Sequence, residues 1–334
     1  MTVDVGSLAL EITGRCNRNC VYCYNDWRAR PRETPDELKT ATLLELVASV
    51  LRATGVRRLT VTGGEPLARP DALDLLAGLV GLGLELSLVS DGGLIDEAMA
   101  NALAALPVSL VQVTLLAANR ESHDALKGTP SFDATLRALA HLKRASVRTS
   151  VAFVCTRRNA QHFRDVIELC FALGVKDLAF SRFCATGRGG REDELSPTHE
   201  QLERCLELAD EANARFGMRV HLAIGLPRCA VDVDRLTHLK LGRCALSSAR
   251  PGLTLGANGE LRGCSVSSLV LGELTREPIA AVLARAEVDF FPAVRAVPEA
   301  CQGCEWVGDC GGGCRESARN RGGLEQPDPL ARPA

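Results

Sequence analysis

The chain has 334 residues, 46% of them hydrophobic and 24% charged, which suits a globular protein with one barrel-sized domain and an appended unit. With 39 Lys and Arg against 41 Asp and Glu, the net charge of -2 supplies no basic field, so neither nucleic acid nor an anionic membrane is an expected partner. The opening "MTVDVGSLALEITG" has no basic region ahead of an apolar run, and no stretch of about 18 apolar residues occurs, so the chain is read as cytoplasmic, without signal peptide or spanning helix.

In chain order, "SLALEIT" reads as a strand, and "TPDELKTATLLELVASVLRATG" as an amphipathic helix with Thr34 as N-cap, Pro35 at its first position and Glu37 closing a capping box. "RRLTVTGGEP" is a strand running into a glycine turn. Helices near 71–81, 94–106, 131–145 and 160–173 then alternate with the strands "LELSLVS", "VSLVQVTLL", "VRTSVAFV" and "DLAFSRF". Six strand–helix units in about 220 residues imply an α/β chain whose parallel sheet curls into a partial (β/α)6 barrel, with chemistry at the C-terminal ends of its strands. The polar segment "TGRGGREDELSPT" breaks the pattern, and a helix near 198–215 follows. Beyond about residue 228 the texture changes to Gly, Cys and short strands. A second, cysteine-bearing domain is expected over 228–320, and residues 321–334 are expected to be a disordered tail.

Fourteen cysteines in a cytosolic chain should be reduced, so a clustered set points to metal binding or catalysis. Cys16, Cys20 and Cys23 stand in "CNRNCVYC" just after the first strand, with no fourth thiol nearby. Three thiolates can hold three irons of a four-iron cluster and leave the fourth iron open, and an open coordination position marks a reactive metal site. A zinc site borrowing a distant ligand is the alternative. The spacing C-x3-C-x-aromatic-C, with Tyr22 as the aromatic residue, resembles the signature of the radical S-adenosylmethionine (SAM) superfamily. That resemblance implies a [4Fe-4S] cluster on Cys16, Cys20 and Cys23 whose open iron chelates SAM, and an electron donor such as flavodoxin or ferredoxin. It also implies a 5'-deoxyadenosyl radical able to abstract hydrogen from an unactivated carbon. By the same resemblance Gly63, Gly64, Glu65 and Pro66 ("GGEP") meet the SAM amino group, Ser90 and Asp91 in "VSDGG" contact its ribose, and Arg182 and Arg188 meet its carboxylate. Each arginine could equally be a solvated surface residue.

The C-terminal cysteines resemble the SPASM extension of radical SAM enzymes, which carries up to two auxiliary iron–sulfur clusters. Cys244 and Cys264 frame a C-x14-G-x4-C spacing, and "CQGCEWVGDCGGGC" supplies Cys301, Cys304, Cys310 and Cys314. The resemblance implies a first auxiliary cluster on Cys244, Cys264 and Cys314, with Cys229 as a candidate fourth ligand, and a second on Cys301, Cys304 and Cys310. No cysteine follows Cys314, where the family pattern has a seventh, so the second cluster needs an open iron, a carboxylate such as Glu316, or a different ligand set. A zinc ribbon is the alternative reading of these motifs.

For substrate class, Cys184 after the sixth strand, with Cys155 as a competitor, is a candidate donor that returns a hydrogen atom to a substrate radical; a small buried hydrophobe is its bland alternative. Cys170 and Cys205 are expected in the core. His123 and Asp124 in "ESHDALKG" resemble a segment beside the active site, or else a surface loop. This design resembles sugar- and aminoglycoside-tailoring radical SAM enzymes. The leading expectation is therefore epimerisation or dehydrogenation of a sugar-like or aminocyclitol small molecule. Ribosomal-peptide maturation is the alternative within catalysis, and a non-catalytic zinc or electron-carrier protein the alternative outside it.

Overall fold

The computed structural model describes residues 4–25, 37–187, 189 and 193–332. Seven parallel strands, β1 (Ser7–Glu11), β2 (Arg58–Thr62), β3 (Glu85–Ser90), β4 (Leu110–Thr114), β5 (Thr149–Cys155), β6 (Asp177–Arg182) and β7 (Arg219–Leu222), pair in sequence order. The sheet continues past β1 through β8 (Gly252–Leu255), β9 (Glu260–Arg262) and β10 (Val270–Glu273). Its order is β10-β9-β8-β1-β2-β3-β4-β5-β6-β7, so it stays open with β10 and β7 as edges.

Helices α1 (Thr40–Thr54), α2 (Ala72–Gly81), α3 (Glu97–Ala105), α4 (Arg120–Lys127), α5 (Phe132–Arg144), α6 (Phe163–Leu173) and α7 (His199–Arg215) lie between the strands. Strand periodicity explains the layering. Leu8, Leu10, Leu59, Val61, Leu86, Leu88, Val111, Val113, Val151 and Phe153 alternate along β1 to β5 and are buried in the principal apolar core. The opposite face carries Ala9, Thr60, Ser87, Gln112 and Ala152, all half-buried, so the sheet interior is smaller in side chain and more polar than the helix-covered face. On α1, Leu43, Val47, Val50 and Leu51 fall on one face and are buried, and Gly55 in the left-handed region ends the helix. No helix among the described residues is long and apolar enough to cross a membrane.

The structure departs from the sequence expectation in four places. The first helix starts at Thr40, not near residue 34; Thr34 and Pro35 lie outside the described residues. Glu37 closes no capping box, because its carboxylate accepts from Thr13 Oγ1 at 2.5 Å and from Gly14 N at 3.1 Å. "ESHDALKG" belongs to α4, capped by Asn119 and ended by Gly128. The segment beyond residue 228 joins the sheet directly, since β8 pairs parallel with β1, and the buried Glu11–Arg262 ion pair ties β1 to β9. Finally, the tail expected to be disordered is described through Arg332 and folds back. Asp328 is buried against Arg182 at the end of β6, and a buried guanidinium requires such a counter-charge.

Candidate active site

Parallel strands put all their C-terminal ends on one side, and the loops that follow β1, β2, β3 and β6 meet there. The loop carrying Cys16, Cys20 and Cys23 follows β1; its three thiols form no disulfide and are half-buried. Backbone bonds seat it from two sides. Asn19 N and Val21 N donate to Lys127 O at 3.2 Å and Leu126 O at 3.0 Å, and Gly189 N donates to Cys23 O at 3.0 Å. Val21 and Tyr22 pack on a small apolar cluster of Leu116, Leu126, Phe183 and Leu195, built where β4, β6 and the following loops end. Burial, followed by the nearby Cys20, pushes the Tyr22 phenol well above its ordinary pKa, so it stays neutral.

The GGEP turn presses on the same loop. Gly64 N donates to Thr13 O and Glu65 N to Arg15 O, both at 2.8 Å. A Cβ on Gly64 would stand 2.1 Å from Arg15 O, and one on Gly63, whose φ is 136°, would stand 2.6 Å from Thr13 O. The paired glycines are thus required by the approach of this chain's own cysteine loop. Glu65 is 1% exposed, and its carboxylate accepts from Leu67 N, from Ser90 Oγ at 2.9 Å and from Asp91 N at 2.7 Å. Desolvation, then the neighbouring Asp91, raises its pKa to about 8. Glu65 therefore clamps the β2 turn to the end of β3, with Ser90 as its partner and Pro66 opening the short turn that follows.

Three buried polar atoms at these strand ends have no hydrogen-bond partner: Asn25 Oδ1, Asp91 Oδ2 and His123 Nε2. Asn25 donates through Nδ2 to Gly63 O at 2.9 Å. Asp91 Oδ1 lies 3.1 Å from Arg18 Nη2. His123 on α4 accepts from Leu116 N, and burial, then Lys127, depresses its pKa to about 3, so the ring is neutral. Unsatisfied buried polar atoms are costly unless a ligand reaches them, and here two are acceptors and one, the N–H at His123 Nε2, is a donor. Their presence beside a half-buried three-thiol loop fits a small polar ligand such as SAM bound at an iron–sulfur cluster. Asn25 and His123 were not counted as site residues from sequence, although Asn25 stands two residues after Cys23 and His123 lay in a segment already singled out. Asp124 is structural: it accepts from Ser131 N and Phe132 N at the start of α5.

Other expected site residues lie elsewhere. Arg182 is 5% exposed and engaged by Asp328 and Ser317, with the charges of Asp328, Cys184, Cys314 and Cys244 offsetting burial and holding its pKa above the ordinary value. Arg188 lies outside the described residues. The sulfur of Cys184 is 3.7 Å from that of Cys314 and 2.8 Å from Ser317 Oγ. Cys155 contacts Cys205 at 3.9 Å, and with Cys170 both belong to the core. Neither proposed hydrogen donor, then, is a thiol presented alone to the barrel interior. Cys244 and Cys264 lie beside Cys314, whereas Cys229 lines a small apolar cavity with Cys301, Cys304 and Cys310. Glu316 is fully buried, with its carboxylate on Arg319.

Residues 10–170 match the Radical SAM superfamily model, and the chain has the α/β fold of that superfamily. The match implies a [4Fe-4S] cluster and SAM as its partner. The AdoMet-dependent heme synthase of Methanosarcina barkeri (strain Fusaro / DSM 804) is 28% identical over 335 residues, spanning 93% of this chain and 91% of that protein. The PqqA peptide cyclase of Rhizobium meliloti (strain 1021) is 26% identical over 318 residues, spanning 92% of this chain and 82% of that protein. In structure, anSMEcpe with bound AdoMet matches with a TM-score of 0.76 at 21% identity, covering 97% of this chain and 90% of that one.

Proposed function

We propose that the chain is a radical SAM enzyme that modifies a peptide substrate, with Cys16, Cys20 and Cys23 as the ligands of the SAM-cleaving cluster. The observation that carries the peptide class is the likeness to PqqA peptide cyclase over 92% of the chain, a span too long to omit the cysteine-bearing segment beyond residue 228. The sugar-epimerase expectation loses its support, because Cys184 faces Cys314 and Cys155 faces Cys205.

When bound and reduced, a [4Fe-4S] cluster with an open iron supplies the electron that cleaves SAM to a 5'-deoxyadenosyl radical. The chain's own groups position the reactants. Glu65 locks the β2 and β3 loops together; Asn25, Asp91 and His123 offer their free polar atoms to the polar groups of SAM; and neutral His123 does so without adding charge. Tyr22 and the apolar cluster beneath it close one side of the loop against water. A one-electron reductant of the flavodoxin or ferredoxin class completes the system.

The likeness to AdoMet-dependent heme synthase over 93% of the chain favours a second reading, tetrapyrrole chemistry. One experiment separates the two. Anaerobically reconstituted protein is supplied with SAM and dithionite, and 5'-deoxyadenosine is measured with short peptides encoded beside its gene and, separately, with haem precursors. A peptide that loses hydrogen mass in step with 5'-deoxyadenosine supports the peptide reading. A tetrapyrrole product with no peptide change overturns it.

A further inference from the structure

None of the fourteen cysteines is in a disulfide; setting aside the three in the loop after β1 and the core residues Cys155, Cys170 and Cys205 leaves Cys184, Cys229, Cys244, Cys264, Cys301, Cys304, Cys310 and Cys314. The fold divides these eight differently from their order along the chain. Gly311, Gly312 and Gly313 take φ values of 61°, 82° and 81°, three successive left-handed positions that turn the chain sharply after Cys310. Beyond that turn, Cys314 N donates to Asp328 Oδ2 at 2.7 Å, and the Cys314 sulfur meets Cys184 and Cys244, with Cys264 beside it. Cys301, Cys304 and Cys310 stay behind around the cavity walled by Trp306 and Val307, and Cys229, carried in from the connection between β7 and β8, lines that cavity with them.

We propose that the chain holds two closed four-thiolate iron–sulfur centres, one on Cys184, Cys244, Cys264 and Cys314, the other on Cys229, Cys301, Cys304 and Cys310. The choice of iron over zinc rests on the radical SAM reading above. Buried positive charge accompanies the thiols. Arg182 lies within the fields of Cys184, Cys244 and Cys314, and Arg315, fully buried, within those of Cys244, Cys301 and Cys314. Fixed guanidinium charge balances the negative charge of thiolate-ligated iron in a low-dielectric interior.

The assignment has two consequences. The ligand set of the second centre is completed from upstream by Cys229, so no cysteine after Cys314 is needed and Glu316 stays with Arg319. Cys184 is a cluster ligand, and neither auxiliary centre has an open iron for substrate. Both can then only pass electrons.

The test is independent of the substrate. Full-length protein is reconstituted anaerobically with iron and sulfide, and iron content and the EPR components of the reduced protein are recorded for wild type and for Cys184→Ala, Cys264→Ala, Cys229→Ala and Cys304→Ala. Wild type should bind about twelve irons, the content of three four-iron clusters. Cys184→Ala and Cys264→Ala should perturb one EPR component, Cys229→Ala and Cys304→Ala the other. All four should keep the component that depends on Cys16, Cys20 and Cys23, which shows that they fold. The proposal is overturned if Cys184→Ala or Cys229→Ala keeps every component and all its iron, if Cys229→Ala perturbs the component lost in Cys264→Ala, or if these thiols take up zinc in place of iron.

Discussion

The two cysteine-bearing regions of this molecule are built on opposite plans. The loop after β1 packs three thiols into eight consecutive residues, and the rest of the protein serves to hold that loop open: the GGEP turn, the end of α4 and Gly189 all bind its backbone and leave its sulfurs half-exposed. The groups beyond residue 228 gather sulfurs from as far apart as Cys184 and Cys314, and most of those sulfurs are buried. A contiguous motif with its sulfurs half-exposed suits a centre that must admit a ligand. A buried set assembled across the fold suits one that must not.

If the loop alone carries the chemistry, the triple substitution of Cys16, Cys20 and Cys23 by Ala abolishes 5'-deoxyadenosine formation, the largest effect expected, while iron held by the other cysteines remains. Simultaneous loss of all iron in a folded protein would break the comparison.

The next effect tests the distant region. Asp328→Asn leaves the buried Arg182 without its counter-charge and should cost about 3–5 kcal/mol in a urea titration. A loosely attached tail would give less than about 0.5 kcal/mol. The composition and terminal position of "RGGLEQPDPLARPA" predict disorder for that tail. Among the contacts that order it is a carboxylate that meets a guanidinium 146 residues away, and no local pattern encodes such a meeting.

Gly64→Ala should follow in size. The added methyl would overlap Arg15 O, so the cysteine loop must shift; SAM cleavage should fall roughly a hundredfold, the loss expected when reacting groups are displaced by about 1 Å. The fold as judged by circular dichroism should remain. Equal activity in this variant would mean that the turn does not set the loop.

A further effect concerns pH. His123 titrates near 3 in the folded chain and near 6.5 when unfolded, so its contribution to stability is present above pH 6.5 and is lost as pH falls from there toward 3. The slope from this group is at most about 1.4 kcal/mol per pH unit. His123→Gln keeps an acceptor for Leu116 N and should flatten the decline between pH 6 and 4, measured by denaturant titration at each pH. An unchanged slope would place the histidine in a wetter setting than the fold gives it.

Sequence alone determined whatever depends on near neighbours. Alternating apolar residues specified the strands of the parallel sheet, helical periodicity specified α2, α3, α5, α6 and α7 nearly to their ends, and the spacing of Cys16, Cys20, Tyr22 and Cys23 singled out the three-thiol loop. Where a local signal misled, a distant group had captured the residue: Glu37 was taken from its capping box by Thr13 and Gly14. Only the tertiary structure decided that β8 extends the barrel sheet along β1, that Glu65 binds the β3 loop, and which thiols face one another. The reason is physical: a thiol–thiol contact or a buried ion pair is fixed by chain packing in three dimensions, and neither leaves a period in the sequence that joins its two ends.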